Sequence, residues 1–406
     1  MPNENLVTIP VSQLKPGMLI HQIGKQSGKL VVKHRGRLFQ HSVIEQLIQK
    51  GVETVVVEKQ AIKKESTLSR LLHGTPNKHN AAQSTPNLLA EQDNAFTLFS
   101  TDQAYVDAAK LLDDLKLSFK SIASRVRKDL TIPTEYLAGT INNVHSALLE
   151  NKDALLFMLL YKQNDDFLYA HAVRCSVLMC LFAQSLELSE EDCKRLATVG
   201  FLFDIGMLSI PPSIRKRKVG ATLEEQLVLQ THVLESLSML EYVTLDNEQL
   251  LSIEQHHERL DGSGYPYGIQ GENIHVFARM LAIVDYFDAM TAAREYHNPI
   301  TPAAALKSLC YASKGYDRKL AVQFLRAIGI YPRGSGVALT NGDIAVVTKV
   351  MPDEPLKPMV QSVYSLNSMK QISPRHIDLT DNHSKLAIKK PVLLSQFGIN
   401  DIMHVH

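Results

Sequence analysis

The chain has almost no net charge, few cysteines and no long apolar run, and each shortage removes a class of function. Lys and Arg number 43 against 42 Asp and Glu, a formal net charge of +1. No broad field draws a nucleic-acid polymer or an anionic membrane to such a surface. The four cysteines, Cys175, Cys180, Cys193 and Cys310, show no C-x-x-C spacing and no framework density, so they read as reduced thiols. The opening "MPNENLVTIP" lacks a charged segment followed by an apolar run, so it does not read as a signal peptide. Apolar stretches such as "VLMCLFA" (177–183) fall short of the roughly 18 residues that a spanning helix needs. The expectation is a cytoplasmic protein with no membrane and no nucleic-acid polymer among its partners.

What is present is an ordinary globular composition, 45% hydrophobic and 21% charged over 406 residues, long enough for two or three units. Residues 1–65 carry short β-like runs ("LVTIPV", "GMLIHQI", "GKLVVKH", "ETVVVEK") and one helical segment, "SVIEQLIQKG", that ends on Gly51 as a C-cap would. They read as a small α+β domain. Residues 66–100, rich in Asn, Gln, Thr, Ser and Pro, read as a flexible linker. From 101 to 335 the pattern is helical, opened by a Ser100/Gln103 capping-box pair and punctuated by cap patterns at Ser189/Asp192 and Thr222/Glu225. Tyr105, Ala108, Leu112, Leu115, Phe119, Ile122 and Val126 recur at alternating spacings of three and four, which fits either a helix packed on its own domain or a homodimer seam over 105–126. Strand-like runs return in 336–406 ("DIAVVTKV", "MVQSVYSL", "KPVLLS"), giving a short β-rich C-terminal appendage. The fold class expected is multidomain, with an all-α central domain.

The chemistry lies in isolated titratable residues on greasy helices. Asp204 sits inside "GFLFDIGMLSIP" (200–211), and an unpaired buried carboxylate costs several kcal/mol, so it is neutral, paired or metal-bound. His171 precedes "AVRCSVLMCLFA", His232 sits in "LVLQTHVLESLSML", and Asp285 lies in "ARMLAIVDYFDAM". His256 and His257 in "HHERLDGSGYP" diverge by about 100° on a regular helix and converge only where the helix end loosens, which Gly262 and Gly264 permit. Taken singly, each is a buried residue bonded to backbone. Together, four helices delivering ligand-type residues into one core match the way bundles build metal centres.

At these residues the sequence resembles the HD-GYP family, bacterial metal-dependent phosphodiesterases of the HD superfamily, over roughly residues 135–335. "HHERLDGSGYP" is the most specific piece, with "DIGMLSIP", "ARMLAIVDYFDAMTAAR" and "IGIYP" in support, while "VSQLKPGM" resembles the small domain that often precedes this one. The resemblance implies an HD-type helical metal-phosphodiesterase domain acting on cyclic di-GMP or 3'3'-cyclic GMP-AMP, with divalent Fe or Mn. It assigns His171, Asp204 and Asp285 to a first metal, and Asp204, His232, His256 and His257 to a second. Asp204 is then the catalytic bridge that holds the attacking water.

Three positions depart from the family pattern. The HD-motif His is Phe203, a Glu used by three-metal members is Phe167 (with Asp165 and Asp166 close by), and a phosphate-contacting Lys is Met207. One well-formed and one weakened metal site follow. Arg294, Lys314 and Tyr265 are the implied substrate contacts, while the basic run "RKRK" (215–218) reads better as a solvated turn. The functional expectation is a degenerate signalling domain with hydrolysis impaired or lost and binding of a cyclic dinucleotide or a signalling-protein partner retained. The alternatives are an active cyclic-dinucleotide phosphodiesterase and a dimeric regulatory scaffold.

Overall fold

The computed structural model describes residues 6–13, 19–25, 27, 36–37, 47–49, 51–58, 103–128, 130–161, 167–215, 222–292, 299–312, 315–351, 353–381 and 385–399. The linker expected over 66–100, Asp165, Asp166, Arg294 and Lys314 lie outside the described residues. So do the Ser100 cap and the "GKLVVKH" strand. The chain divides into two compact units, Met1–Gly74 and Thr75–His406.

The first unit pairs β1 (Leu6–Pro10), β2 (Leu19–Ile23), β3 (Gly36–Arg37) and β4 (Thr54–Glu58) in the order β1-β4-β2-β3. Alternation in "TVVVE" sends Val55 and Val57 inward, where they meet Val11, Leu47 and Val52. Gly51 takes a positive φ of 76° just past the 47–49 helical turn. Its amide bonds back to Ile48 O (2.9 Å), closing the turn as a C-cap does.

The second unit is helical as far as Ile328. Its helices are α1 (Gln103–Val126), α2 (Thr134–Tyr161), α3 (Phe167–Ser185), α4 (Glu190–Leu202) and α5 (Pro212–Arg215). Then come α6 (Leu223–Gln230), α7 (His232–Met239), α8 (Asn247–Gln255), α9 (Val276–Thr291), α10 (Pro302–Lys307) and α11 (Arg318–Ile328). The caps expected from sequence form: Ser189 Oγ accepts from Asp192 N, and Thr222 with Glu225 makes a reciprocal capping box. The α2 helix breaks at Asn151, whose Oδ1 accepts from Ala154 N (3.0 Å) and so caps the second half.

Helix α3 is the centre of the core, with 15 of its 19 residues buried. Contrary to the expectation that apolar stretches fall short of a spanning length, it is long and apolar enough to cross a membrane by length and composition. A helix apolar on all sides is also what a domain core demands, and the neighbouring helices enclose it. The repeating face of α1 is consumed in the same way. Phe119 packs edge-on against Tyr169 (5.7 Å) and Phe201 (5.3 Å), Tyr105 against Phe157 (5.2 Å), and every residue of the seam is buried. The homodimer seam expected over 105–126 is therefore corrected: that face is an intrachain contact, because fully burying each large apolar side chain contributes about 1.5–3 kcal/mol and α2, α3 and α4 already supply the surface.

After α11 comes a five-stranded antiparallel sheet in the order β8-β7-β6-β5-β9. Its strands are β5 (Gly336–Leu339), β6 (Asp343–Lys349), β7 (Met359–Ser365), β8 (Lys370–Asp378) and β9 (Ile388–Val392). Val337, Ala345, Val347 and Val360 bury one face, while Ala338, Ile344 and Val392 bury the other.

Candidate metal centre

Asp204 follows α4 on a tight turn, and the glycine two residues on sets its position. A Cβ at Gly206 would run into the His232 carbonyl and the Ser236 amide, so only glycine lets the turn press against the first turn of α7. The Gly206 amide donates to Ser236 Oγ (2.8 Å) and fixes the approach. His232 is the first residue of α7, so the same contact brings its ring to Asp204, with Nε2 3.2 Å from Oδ1.

The helix end at 255 loosens as expected. His256 caps α8 and His257 follows in a turn, and both rings reach His232, their Nε2 atoms lying 3.4 and 3.2 Å from its Nε2. Gly264 makes the return possible, since a Cβ there would strike the backbone of His257, Glu258 and Arg259. Tyr265, half-buried, stacks on His257 at 4.5 Å and 28°. The buried Glu258 carboxylate accepts from the amides of Tyr267 (2.7 Å) and Ile269 (2.9 Å) and holds the outer part of the loop.

His171 enters from α3 with Nε2 3.3 Å from Asp285 Oδ1 and 3.7 Å from Asp204 Oδ2. Its Nδ1 donates to Asp288 Oδ2 (2.7 Å), and Arg174 grips both oxygens of Asp288, with Nε to Oδ1 at 2.5 Å and Nη2 to Oδ2 at 2.9 Å. This arrangement aims the imidazole by its far nitrogen, as carboxylate–histidine pairs do at metal sites. Arg174 and Asp288 were not singled out from the sequence. A signal was there: Asp288 is three residues after Asp285 and Arg174 three after His171, one helical face in each case.

The six ligand-type residues thus gather at one place. Their donor chemistry is that of a cation site. Nδ1 of His232 lies 2.6 Å from Leu229 O, and Nδ1 of His256 lies 2.6 Å from Ile253 O. A carbonyl can only accept, so those nitrogens carry protons, and in the neutral rings both Nε2 atoms present lone pairs. These lone pairs face each other, His257 Nε2 and Asp204 Oδ1, and that oxygen is buried without a hydrogen-bond partner although His232 Nε2 is 3.2 Å away. One proton cannot satisfy so many acceptors, whereas a divalent ion can.

The titration directions divide the site: burial lowers the His232 imidazole but Asp204 outweighs it and holds it above its ordinary value, so in the absence of a cation a proton on His232 compensates Asp204. Burial pushes the Asp204 carboxyl up, but His232, His171 and His256 together outweigh it and hold it well below the usual carboxylate range. Burial, then the neighbouring His232, brings His256 down to about 4, and burial with His256 and His232 lowers His257 further from its ordinary value.

The departures are aromatic. Phe203 is buried, its ring in T-shaped contact with His171 at 5.5 Å and with His256 at 5.0 Å, so a carbon ring borders both imidazoles. Phe167 stacks on His171 at 5.1 Å. Met207 O accepts from Arg215 Nη1 (2.8 Å), which employs the first residue of the basic run in holding this turn.

A helical core that aims imidazoles and carboxylates from several helices at one point defines a helical metal-centre domain. The model of the HD domain family matches residues 156–320, and that of a domain of unknown function, DUF3391, matches residues 6–137. The cyclic di-GMP phosphodiesterase PA4108 of Pseudomonas aeruginosa is 30% identical over 277 residues, covering 67% of this chain and 66% of that protein. The cyclic di-GMP phosphodiesterase response regulator RpfG of Xanthomonas campestris pv. campestris is 35% identical, covering 47% of this chain and 50% of that protein. The 3'3'-cGAMP-specific phosphodiesterase 1 of Vibrio cholerae is 34% identical, covering 36% of this chain and 34% of that protein. The chain thus spans from about a third to about two thirds of the length of these relatives. The chain belongs to the HD domain family, and within it to the HD-GYP group.

Proposed function

We propose that this chain is a cyclic-dinucleotide signalling protein of the cyclic di-GMP type. Its HD-GYP domain holds one divalent ion firmly and a second weakly, and it hydrolyses its ligand slowly or not at all. The observation that carries the reading is the Phe203 ring in contact with both His171 and His256, a carbon ring beside the remaining ligand-type residues. His232, His256, His257 and Asp204 would hold the firm ion. Three imidazoles and a carboxylate suit Fe or Mn. His171, Asp204 and Asp285 would hold the weak one. When bound, such ions polarise a phosphodiester oxygen and acidify water.

The remaining work falls to the chain. Arg174 and Asp288 keep His171 in one orientation, Tyr265 walls the site beside His257, and the buried Phe203 ring adds an apolar surface beside His171 and His256. Arg294 and Lys314 are proposed phosphate contacts. The four cysteines are free and buried, which supports a reducing, cytoplasmic setting. The second reading, an active phosphodiesterase on cyclic di-GMP or 3'3'-cyclic GMP-AMP, is favoured by the convergence of all six ligand-type residues and by the relatives' activities. A signalling-protein partner is compatible with either.

Metal analysis of anaerobically purified protein, paired with turnover of both dinucleotides in Mn²⁺ and Fe²⁺, separates them. One ion per chain with negligible turnover supports the first reading. Rapid turnover abolished by His256→Ala establishes the second.

A further inference from the structure

Arg259, the residue after "HHE", has no part in the site as derived so far, yet three segments cross at it. Its Nη1 donates to His256 O (3.1 Å) and to Glu258 O (2.8 Å), carbonyls at and beyond the C-terminus of α8. Such helix ends leave carbonyls without intrahelical donors, and a buried acceptor left unmet destabilises the turn that carries it. The guanidinium lies over the Tyr316 ring at 4.6 Å. Its aliphatic stem fills the space beside Gly315, where an added Cβ would meet Arg259 Cβ and Cδ at 3.2 Å. The main chain adds a strut in the same place, Leu260 N to Gly315 O at 2.8 Å. On its other side the Arg259 backbone abuts Gly264, and Tyr265 N donates to His257 O (3.2 Å).

We propose that Arg259 is a positioning residue: its guanidinium locks the two-histidine turn after α8 to the 315–317 loop, so that His256 and His257 keep one orientation while the loop following Lys314 is held against them. A planar group suits this task because one face can stack on an aromatic ring while the edge donates to carbonyls. The proposal rests on the reading of His256 and His257 as metal ligands. It adds that their backbone is braced by a cation whose hydrogen bonds go to main-chain carbonyls of the turn.

The test uses the full-length chain with Arg259→Met, which keeps the stem beside Gly315 but removes donors and charge, and with Arg259→Lys, which restores charge and a donor. Mn²⁺ binding is measured by calorimetry, and hydrogen exchange is followed in chelated protein. Arg259→Met is expected to weaken Mn²⁺ binding by about 10- to 100-fold, the usual cost of losing a group that orients a ligand. It should also speed exchange across 256–265 and 315–317 while leaving α4 unchanged, and Arg259→Lys should recover most of the Mn²⁺ affinity. Mn²⁺ binding by Arg259→Met equal to that of the unsubstituted chain overturns the proposal and leaves the metal site standing. If the unsubstituted chain takes up no Mn²⁺, the proposed function fails instead. The exchange data then decide the positioning role: unchanged exchange overturns it, and faster exchange confined to the two segments upholds it.

Discussion

Phe203→His asks whether one side chain keeps this centre from holding two ions firmly. The Phe203 ring is 1% exposed and touches two histidine rings, so an imidazole there enters a buried site already lined with imidazoles. In chelated protein the exchange loses part of a buried aromatic side chain's contribution, about 1.5–3 kcal/mol. It also buries a polar ring without a partner, at about 1–3 kcal/mol. A net loss of about 3 kcal/mol, at roughly 2 °C per kcal/mol for a unit of this size, lowers the melting midpoint by about 6 °C. Mn²⁺ should reverse this. An additional ion bound at a hundredfold excess over its Kd stabilises the folded state by about 2.7 kcal/mol, nearly closing the gap to the unsubstituted chain.

The assay is calorimetric melting of both proteins with chelator and with Mn²⁺, together with metal content after desalting. The variant should hold two ions per chain where the parent holds one. A melting gap that Mn²⁺ does not narrow, with metal content unchanged, would refute the idea that Phe203 is what weakens the first site.

Two further outcomes are expected. Gly206→Ala forces a methyl group against the His232 carbonyl and the Ser236 amide, backbone atoms that cannot yield. It should cost on the order of 3 kcal/mol by denaturant unfolding and reduce Mn²⁺ uptake, and a variant as stable as its parent would contradict the close approach. Asp246 caps α8 and pairs with Arg195 (Nε to Oδ2, 2.7 Å). Burial raises its carboxyl pKa, but Arg195 and the capping amides outweigh this and hold it below the ordinary carboxylate value. Its charge therefore stabilises the fold above that ordinary value, and the contribution is lost as pH falls through the lowered one. Asp246→Asn keeps the cap, so the stability gap should be under about 1 kcal/mol at pH 7, screened because the pair is partly exposed. The gap should vanish toward pH 2, and a gap independent of pH would rule out the pairing.

Much of the architecture was legible from periodicity. The α1 face, the cap at Ser189 and the capping box at Thr222 follow from local rules, because 3.6-residue spacing and an unsatisfied helix amide leave marks in adjacent residues. The site was legible in a different way. His171, Asp204, His232, His256, His257 and Asp285 stand out as polar residues on apolar helices, but their convergence came from motif resemblance, since spacing along the chain carries no distance across it. Glu258, buried beneath its own loop, gave no local sign of the two amides it accepts from.

The sequence by itself determined which residues had to be inside, because apolar periodicity and the cost of burying an unpartnered charge act on each helix separately. Tertiary structure alone decided what they meet there. It turned the α1 stripe onto α2, α3 and α4, so that it is no longer free to pair with a second chain. It also set Phe203 against two imidazoles and brought the Nε2 atoms of His232 and His256 toward one orphaned oxygen of Asp204. Those outcomes depend on close approaches such as that at Gly206, where the absence of one methyl group lets two segments distant in the chain touch.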